Sequence, residues 1–386
     1  MLEGRRLWFV GIGGAGLSSY AFLARAWGAE VGGWDRVETP YLRQLDGVRI
    51  ELSPEPVVPA GWEVVVSSAY PSVPGRPRAE LLAELVSLRR SIVVGGAHGK
   101  TTTTGMIAFV LAELGLDPAW LIGGEVAQLG GNAGAGEGWL VVEGDESDRT
   151  IERLRPEIGV VTNVELDHHS TFGSAAEVEE LFERWLAQVP QVVRGWELEP
   201  VPLELAVPGE HNRRNAAAAL AALELAGVAR ADAEPVLARF RGAGRRFELV
   251  GEKGGVTVVD DYAHHPSEIE ATVAAARERT AGRVLVLFQP HLYSRTRHLA
   301  HELGASLSLA DAACVTEIYR AREDPIDGVS GKLVVDALRP GLRAGWAPSV
   351  EDGARLVAGW ARPGDLVLTV GAGDVERAGP LVLEAL

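Results

Sequence analysis

The stretch that decides the fold reads Ser91-Ile92-Val93-Val94-Gly95-Gly96-Ala97-His98-Gly99-Lys100-Thr101, and three more threonines follow it. Its apolar start predicts a buried strand, its glycines predict a turn, and the threonines begin a helix. In such a turn, backbone amides surround phosphates, the lysine reaches the terminal phosphates, and the threonine hydroxyl binds magnesium. The generic phosphate loop has glycine where Val94 stands, so this is a shorter variant. The predicted nucleotide contacts are Gly96, Ala97, His98, Gly99, Lys100, Thr101 and Thr102.

A second glycine-rich turn lies near the amino terminus. Gly11-Ile12-Gly13-Gly14-Ala15-Gly16 follows the apolar run Leu7 to Val10 and precedes a predicted helix. Bare amides at a helix start can bind a diphosphate, and Asp35 follows the next strand where a ribose-binding carboxylate is expected. Taken alone, the pattern indicates a dinucleotide site, or glycines that merely permit close helix packing. Two phosphate-type loops in two predicted domains indicate two phosphorylated ligands.

Acidic residues follow the predicted strand Leu140 to Val142. The segment Glu143-Gly144-Asp145-Glu146-Ser147-Asp148 places four carboxylates at a strand end. Strand ends of this kind face the nucleotide in parallel sheets, so the segment predicts magnesium ligands. The segment from Thr162 to His169 ends the next strand and offers an imidazole ligand for a second cation.

Polar and cationic groups also follow two apolar strands in the carboxyl-terminal part. These groups lie in Asp260-Asp261-Tyr262-Ala263-His264-His265-Pro266 and in the stretch from Gln289 to Arg297. Ligands of open α/β folds bind at the carboxyl edge of the sheet, so both segments are candidate ligand contacts. Surface salt bridging is the alternative role for the arginines.

The alternation of apolar runs, glycine turns and amphipathic helices predicts an α/β protein with parallel sheets. We expect three domains: a Rossmann-like domain at 1–90, a P-loop ATPase-like domain at 91–242, and a Rossmann-like domain at 243–386. The length of 386 residues agrees with two or three hydrophobic cores.

Composition limits the function classes. The chain has 37 basic and 53 acidic residues and a net charge of −16, which argues against general nucleic-acid or membrane affinity. The single cysteine, Cys314, excludes an internal disulfide and is typical of a reducing compartment. No signal-peptide pattern and no apolar run of membrane-spanning length is found, so we expect a cytoplasmic protein. The sequence does not distinguish a monomer from a homodimer.

The motifs occur together, in order, in a known family. The two glycine loops are followed by Asp145-Glu146-Ser147-Asp148, His211-Asn212, Gly244-Arg245-Arg246-Phe247, the Asp260 to Pro266 stretch, Phe288-Gln289-Pro290-His291 and Gly371-Ala372-Gly373-Asp374. Over nearly its whole length, the chain resembles the Mur ligases of peptidoglycan synthesis. The resemblance implies that UDP-N-acetylmuramate binds the first domain, ATP the second and L-alanine the third. It also implies an acyl-phosphate intermediate, ADP as a product and Mg²⁺ as the metal.

The resemblance assigns roles to individual residues. The implied catalytic residues are Lys100, Glu146, His168 and Arg295. Thr101, Glu146 and His168 would bind metal, and Asn212, Arg246 and Asp261 would contact ATP. Tyr262, His264 and Arg295 would hold the amino acid. The UDP-sugar would contact Gly11, Gly13, Gly14, Ala15, Gly16, Asp35 and Ser68.

Some positions depart from the family pattern. Ala97 replaces a threonine of the phosphate loop, Leu292 replaces an arginine, and Ser170 replaces an aspartate. The region between Trp185 and Val207 lacks several dozen residues that family members have. These departures motivate one alternative, a binding protein without turnover. Two others also stay open, a recycling ligase that adds a preformed peptide and a nicotinamide oxidoreductase. The Lys100 loop would have no role in the last.

Overall fold

Short runs of valine, leucine and isoleucine form the central strands of three sheets among the described residues. The structure is a computed structural model that describes residues 1–166, 171–321 and 323–386. Two compact units are present: residues 1–204 with 214–241, and residues 205–213 with 242–386. The first unit contains two sheets, and the second contains one. The α/β prediction is confirmed, whereas the predicted bounds of the three domains stay predictions.

The first sheet has the order β3-β2-β1-β4-β5, and its strands are parallel. Its strands are β1 (Arg6–Val10), β2 (Glu30–Asp35), β3 (Arg49–Leu52), β4 (Glu63–Val66) and β5 (Arg76–Pro77). Two helices accompany them, α1 (Ala15–Ala26) and α2 (Arg78–Ser87). Because parallel strands end at one edge, the turn after β1, the end of β2 and the start of α2 come together there.

The second sheet has the order β11-β10-β6-β9-β7-β8. Only its β7–β8 pair is antiparallel. Its strands are β6 (Ser91–Gly95), β7 (Ala119–Val126), β8 (Gly131–Ala135), β9 (Leu140–Glu143), β10 (Ile158–Val161) and β11 (Gln191–Arg194). The helices along this part of the chain are α3 (Lys100–Glu113), α4 (Ala175–Leu186), α5 (Glu210–Leu225) and α6 (Arg230–Leu237). The central β6 places the predicted phosphate loop at the carboxyl edge of the sheet.

The third sheet has the order β12-β13-β17-β14-β15-β16, with only β12 antiparallel to its neighbour. Its strands are β12 (Glu248–Lys253), β13 (Val256–Asp261), β14 (Val284–Phe288), β15 (Ala312–Val315), β16 (Arg343–Trp346) and β17 (Leu366–Val370). The helices are α7 (Pro266–Arg279), α8 (Tyr293–Leu307), α9 (Lys332–Asp336), α10 (Val350–Ala358) and α11 (Ala378–Ala385).

The buried apolar clusters contain strand residues of the three sheets. In the first unit one buried cluster includes Phe9 and Leu85 together with Val93, Leu140 and Phe182, so apolar side chains of both sheets belong to a single core. In the second unit, separate clusters cover the two faces of the third sheet. Cys314 is buried in one of them, and burial raises the pKa of its thiol to about 12. Among the described residues, no helix combines the length and apolar character that crossing a membrane requires.

Candidate active site

The turn between β6 and α3 has a backbone that requires glycine at two positions. Gly96 has a φ of +126° and Gly99 a φ of +79°, both in the region that favours glycine. A Cβ atom on Gly96 would lie 2.2 Å from Oγ1 of Thr162, and one on Gly99 would lie 2.3 Å from Oδ1 of Asn215. The turn is therefore enclosed by neighbouring polar side chains as well as being glycine-rich.

Two residues that follow β10 hold this turn in place. The amide of His98 donates to Oδ1 of Asn163 at 2.9 Å, and Nδ2 of Asn163 donates back to the His98 carbonyl at 2.9 Å. The Thr162 hydroxyl donates to the same carbonyl at 2.5 Å. The segment after β10, interpreted from sequence as a metal-binding loop, thus fixes the phosphate loop. His168 lies outside the described residues, so its predicted role as a metal ligand stays a prediction.

Lys100 points back over the turn toward the acidic segment. Its Nζ donates to the carbonyls of Gly96 and Ala97 at 2.6 and 3.1 Å and lies 2.9 Å from Oε1 of Glu146. The Glu146 side chain is 3% exposed, so this ion pair is shielded from water. Burial would lower the pKa of Lys100, but the carboxylates of Glu146, Glu143 and Asp145 together outweigh burial and raise it. The lysine is therefore held cationic at the mouth of the phosphate loop.

A different carboxylate lies beside the Thr101 hydroxyl. Thr101 donates to Oε1 of Glu143 at 3.1 Å, and the amide of Gly123 donates to Oε2 of Glu143 at 2.7 Å. Glu143 ends β9, next to β6, so the sheet itself sets this distance. Sequence reasoning selected Glu146 as the metal ligand. The structure shows that Glu143 contacts the threonine, whereas Glu146 contacts the lysine.

The amino-terminal glycine loop is fixed by Asp35. The amide of Gly13 donates to Oδ2 of Asp35 at 2.7 Å, and the amide of Arg36 donates to Oδ1 at 2.7 Å. Asp35 is 8% exposed. The Thr39 hydroxyl donates to the Gly13 carbonyl at 2.7 Å. The carboxylate predicted to bind a ribose thus binds the loop itself.

Ser67 and Tyr70 face the start of this loop. A Cβ atom on Gly11, whose φ is +87°, would lie 2.9 Å from Cβ of Ser67 and 3.0 Å from the Tyr70 ring. Ser68, the serine predicted from the sequence, is exposed. Tyr70 also packs edge-on against Trp34, with ring centroids 5.2 Å apart. Sequence reasoning missed Ser67 and Tyr70, because their approach to Gly11 depends on β4 lying beside β1.

In the second unit the three residues predicted for the amino acid lie together. The rings of Tyr262 and His264 are 5.5 Å apart, and those of His264 and His291 are 5.9 Å apart. Nη1 of Arg295 lies 3.3 Å from Nδ1 of His291. Tyr319 stacks on His291 at 5.7 Å. His291 and Tyr319 were not among the predicted site residues, yet they complete the cluster.

Leu292, one of the departures from the family pattern, has a φ of +70° just before α8. Its amide donates to the carbonyl of Tyr319 at 2.9 Å. A non-glycine residue in this conformation is strained and persists where its surroundings fix it. Here the bond to Tyr319 holds the strained turn beside His291.

Asp261 organises the loop that carries Arg246. Its Oδ2 accepts from the amide of Phe247 at 2.8 Å, and its Oδ1 accepts from the amide of Ala263 at 2.8 Å. Burial raises the pKa of Asp261 to about 6. Arg246 stacks over the Tyr262 ring at 5.0 Å. The structure therefore brings two predicted ATP contacts, Asp261 and Arg246, into one loop system.

Asn212, the third of these predicted contacts, donates through Nδ2 to the carbonyl of Pro208 at 2.6 Å in the second unit. Asn215, on the next turn of α5, belongs to the first unit and lies against Gly99. Sequence reasoning selected only the first of them.

Comparison with known proteins decides the family. The chain matches the family models described as Mur ligase middle domain, over residues 94–195, and Mur ligase, glutamate ligase domain, over residues 245–373. It is 41% identical to the UDP-N-acetylmuramate–L-alanine ligase of Streptomyces coelicolor, with 98% of this chain and 97% of the relative covered. The chain belongs to the Mur ligase family. The enzyme of the same name from Rubrobacter xylanophilus is 40% identical, with 98% and 99% covered.

Solved structures agree with this assignment. The UDP-N-acetylmuramate-alanine ligase of Thermotoga maritima matches this Mur ligase with a TM-score of 0.80 at 27% identity, covering 98% of both chains. A murein peptide ligase from Psychrobacter arcticus matches with a TM-score of 0.65 at 24% identity, which shows the fold alone. Family membership decides against the nicotinamide oxidoreductase.

The shortening of this Mur ligase is visible in the same comparison. The alignment with the Streptomyces coelicolor enzyme extends over 450 positions, whereas this chain has 386 residues. Dozens of positions in the relative therefore have no counterpart here. The phosphate loop, Glu143 and the segment that holds His98 are nevertheless in place in the structure. The shortened chain thus keeps the contacts that order its phosphate loop.

Proposed function

We propose that this chain ligates L-alanine to the lactyl carboxylate of UDP-N-acetylmuramate, with conversion of ATP to ADP and phosphate, in peptidoglycan precursor synthesis. The observation that carries the proposal is the Lys100 loop, with its glycine-specific backbone and its buried Lys100–Glu146 pair, in a chain 41% identical to an enzyme of that name. ATP and a nucleotide sugar are both supplied in the cytoplasm, which supports that location for the reaction.

The first transfer joins two anions. The lactyl carboxylate attacks the γ-phosphorus of ATP, an acyl phosphate forms, and ADP leaves. Like charges repel each other here, so positive groups must offset the charge that builds up on the phosphoryl oxygens. Lys100 is placed for this because its ammonium lies among the carbonyls of the phosphate loop. The amine of L-alanine then attacks the acyl carbon, loses a proton, and displaces phosphate.

The residues around Thr101 fit a magnesium ion. A hydroxyl oxygen and a carboxylate oxygen 3.1 Å apart are hard ligands of the kind that Mg²⁺ prefers. We place Thr101 and Glu143 on the metal, with the Gly123 amide orienting the carboxylate. Glu146, predicted as a ligand from sequence, orients Lys100, and His168 stays a predicted ligand. When bound, Mg²⁺ neutralises phosphate charge in the transition state.

The remaining sequence predictions assign binding residues to the UDP-sugar, L-alanine and ATP. The UDP-sugar diphosphate binds the amides of Ala15 and Gly16 at the start of α1, because the amides of Gly13 and Gly14 already donate to Asp35 and to the Gly11 carbonyl. The carboxylate of L-alanine pairs with Arg295 in the cluster of Tyr262, His264 and His291. Of the three ATP contacts predicted from the sequence, Asn212 and Arg246 are proposed to touch ATP. Asp261 acts indirectly in this scheme, since its oxygens are engaged by the loop that carries Arg246.

Identification of the product tests the proposal. The purified protein, incubated with UDP-N-acetylmuramate, ATP, Mg²⁺ and L-alanine, is expected to give a product heavier by one alanyl residue in mass spectrometry. A competition between alanine and a preformed tripeptide distinguishes the recycling ligase, because addition of the tripeptide in preference to alanine would contradict the proposal. UDP-sugar binding without any product would instead favour the binding protein.

Replacing Asp35 by alanine tests the role of the amino-terminal loop. Loss of the charged acceptor of the Gly13 amide leaves the loop less ordered, and we expect the KM for UDP-N-acetylmuramate to rise about tenfold. The KM for ATP and kcat should change by less than about twofold, because the Lys100 loop does not touch this carboxylate. Steady-state kinetics measures both. The control is Asp46→Ala, an exposed aspartate of the same sheet region. Equal effects of the two substitutions would contradict this role.

A further inference from the structure

Arg78 lies outside both phosphate loops, and neither loop motif predicts a role for it. It is the first residue of α2 and follows β5, whose Pro77 pairs with Val66 of β4. This pairing brings the arginine to the carboxyl edge of the first sheet, next to α1. Its Nη1 lies 3.4 Å from the place that a Cβ atom on Gly16 would occupy. The guanidinium thus lies against the last residue of the amino-terminal glycine loop.

The other end of the guanidinium contacts the acidic segment of the second sheet. Nη2 of Arg78 donates to Oδ2 of Asp148 at 2.7 Å and to Oδ2 of Asp145 at 3.1 Å. Asp145 also accepts from the amide and hydroxyl of Ser147, at 2.9 and 2.5 Å. Burial would raise the pKa of Asp145, but the Ser147 hydrogen bond and Arg78 outweigh burial and lower it. The Asp145 carboxylate is therefore held ionised against the arginine.

This acidic segment leads directly to the nucleotide site. Glu146, next to Asp145, pairs with Lys100. A series of contacts consequently runs from Gly16 through Arg78 to Asp145, along the chain to Glu146, and from Glu146 to the Lys100 ammonium, and all of its members belong to the first unit. Packed ion pairs of this kind can transmit a shift at one end to the other.

The burial of Arg78 indicates more than a surface salt bridge. Its side chain is 21% exposed, and its Nε is buried without a hydrogen-bond partner among the residues that the structure describes. Holding a guanidinium out of water is costly unless charged partners compensate it. The two aspartates bind Nη2, whereas Nη1 faces the glycine loop. Nη1 is therefore the part of the guanidinium that an anion bound at this loop would meet.

We propose that Arg78 couples the two phosphate sites: Nη1 binds the diphosphate of the UDP-sugar at the Gly11–Gly16 loop, while Nη2 orders the Asp145–Asp148 segment that sets Glu146 and Lys100. UDP-sugar binding and ATP binding then strengthen each other. The inference rests on the proposed function for the identity of the two ligands. It adds a residue and a linkage that the proposed function does not contain.

The experiment measures the linkage directly. The dissociation constant of UDP-N-acetylmuramate is determined by calorimetry with and without a nonhydrolysable ATP analogue and Mg²⁺, for the wild type, Arg78→Gln and Arg78→Lys. For the wild type we expect the analogue to tighten sugar binding at least about fivefold. Arg78→Gln should weaken sugar binding about tenfold and reduce the coupling factor to about one. Arg78→Lys should recover part of the affinity but little of the coupling, because an ammonium does not bridge both loops.

Arg76→Gln is the matched control. Arg76 lies two residues away, is 23% exposed, and forms ion pairs with Glu63 and Glu84 away from both loops. A purely structural role for Arg78 predicts similar losses of thermal stability for the two variants and an unchanged coupling factor. Three results would each overturn the inference: a wild-type coupling factor of one, a coupling factor in Arg78→Gln equal to that of the wild type, or the same loss of coupling in Arg76→Gln as in Arg78→Gln. Failure of the wild type to form product from UDP-N-acetylmuramate, ATP and L-alanine would instead overturn the proposed function.

Discussion

Replacing Lys100 by alanine is expected to lower kcat for ligation by about 10³. The Lys100 ammonium is the cation that lies within the phosphate loop, 2.6 Å from the Gly96 carbonyl. Negative charge builds up on the phosphoryl oxygens as the carboxylate attacks, and a preorganised cation stabilises that charge more than it stabilises the ground state. The loss should therefore appear mainly in kcat.

The substitution has a second consequence. Burial already raises the pKa of Glu146 with Lys100 in place, and loss of the ammonium 2.9 Å from its carboxylate removes the interaction that opposes this rise. Steady-state kinetics with all three substrates measures the effect, and circular dichroism verifies folding. Lys253→Ala is the control, because that lysine contacts only carbonyls near the carboxyl terminus among the described residues. A Lys100→Ala enzyme within about tenfold of wild-type kcat would contradict the assigned role.

Replacing Glu143 by glutamine is expected to raise the Mg²⁺ concentration needed for half-maximal activity by about 10²-fold. The carboxylate lies 3.1 Å from the Thr101 hydroxyl, and the Gly123 amide holds its second oxygen. Glutamine keeps the size of the side chain but removes the charge that a divalent cation requires. The change thus weakens the metal site with little effect on packing.

Glu146→Gln distinguishes the two carboxylates. Because Glu146 pairs with Lys100, its substitution should lower kcat and leave the Mg²⁺ requirement within about threefold of the wild type. Glu125→Gln, at an exposed position of β7, is the control for charge removal nearby. A titration of activity against Mg²⁺ concentration separates the variants. A larger rise in the required Mg²⁺ concentration for Glu146→Gln than for Glu143→Gln would show that Glu146, the ligand predicted from the sequence, binds the metal.

Local patterns explain which parts of the fold could be predicted. The phosphate loop and its strand and helix are adjacent in sequence, so the run from Ser91 to Thr104 determined them almost completely. The pair β7 and β8 was missed. Their sequences contain glycines such as Gly123, Gly124 and Gly134, which favour a loop, and their antiparallel pairing depends on contacts with β9 that sequence periodicity does not encode. The edge strands β3, β5, β11 and β16 are short and half exposed, and they lack a strong apolar pattern.

In the candidate site, too, local features could be predicted from the sequence, whereas contacts between distant segments could not. Glycines of the two loops were predicted because steric requirements belong to single residues. Contacts between distant segments were not: Glu143 with Thr101, Tyr70 with Gly11, and Arg78 with Asp148 each join residues that only the sheet order brings together. Arg78 in particular lies in a stretch without a recognisable motif. Its partners became evident only from the pairing of β5 with β4.

In the proposed reaction, the two phosphate-type loops serve one ligation. The most direct measurement is phosphate release from ATP in the presence of Mg²⁺, with UDP-N-acetylmuramate and L-alanine added separately and together. Sustained release is expected only when both are present, and Lys100→Ala is expected to lose it. Release that needs neither substrate, or no release despite measurable UDP-N-acetylmuramate binding, would contradict it.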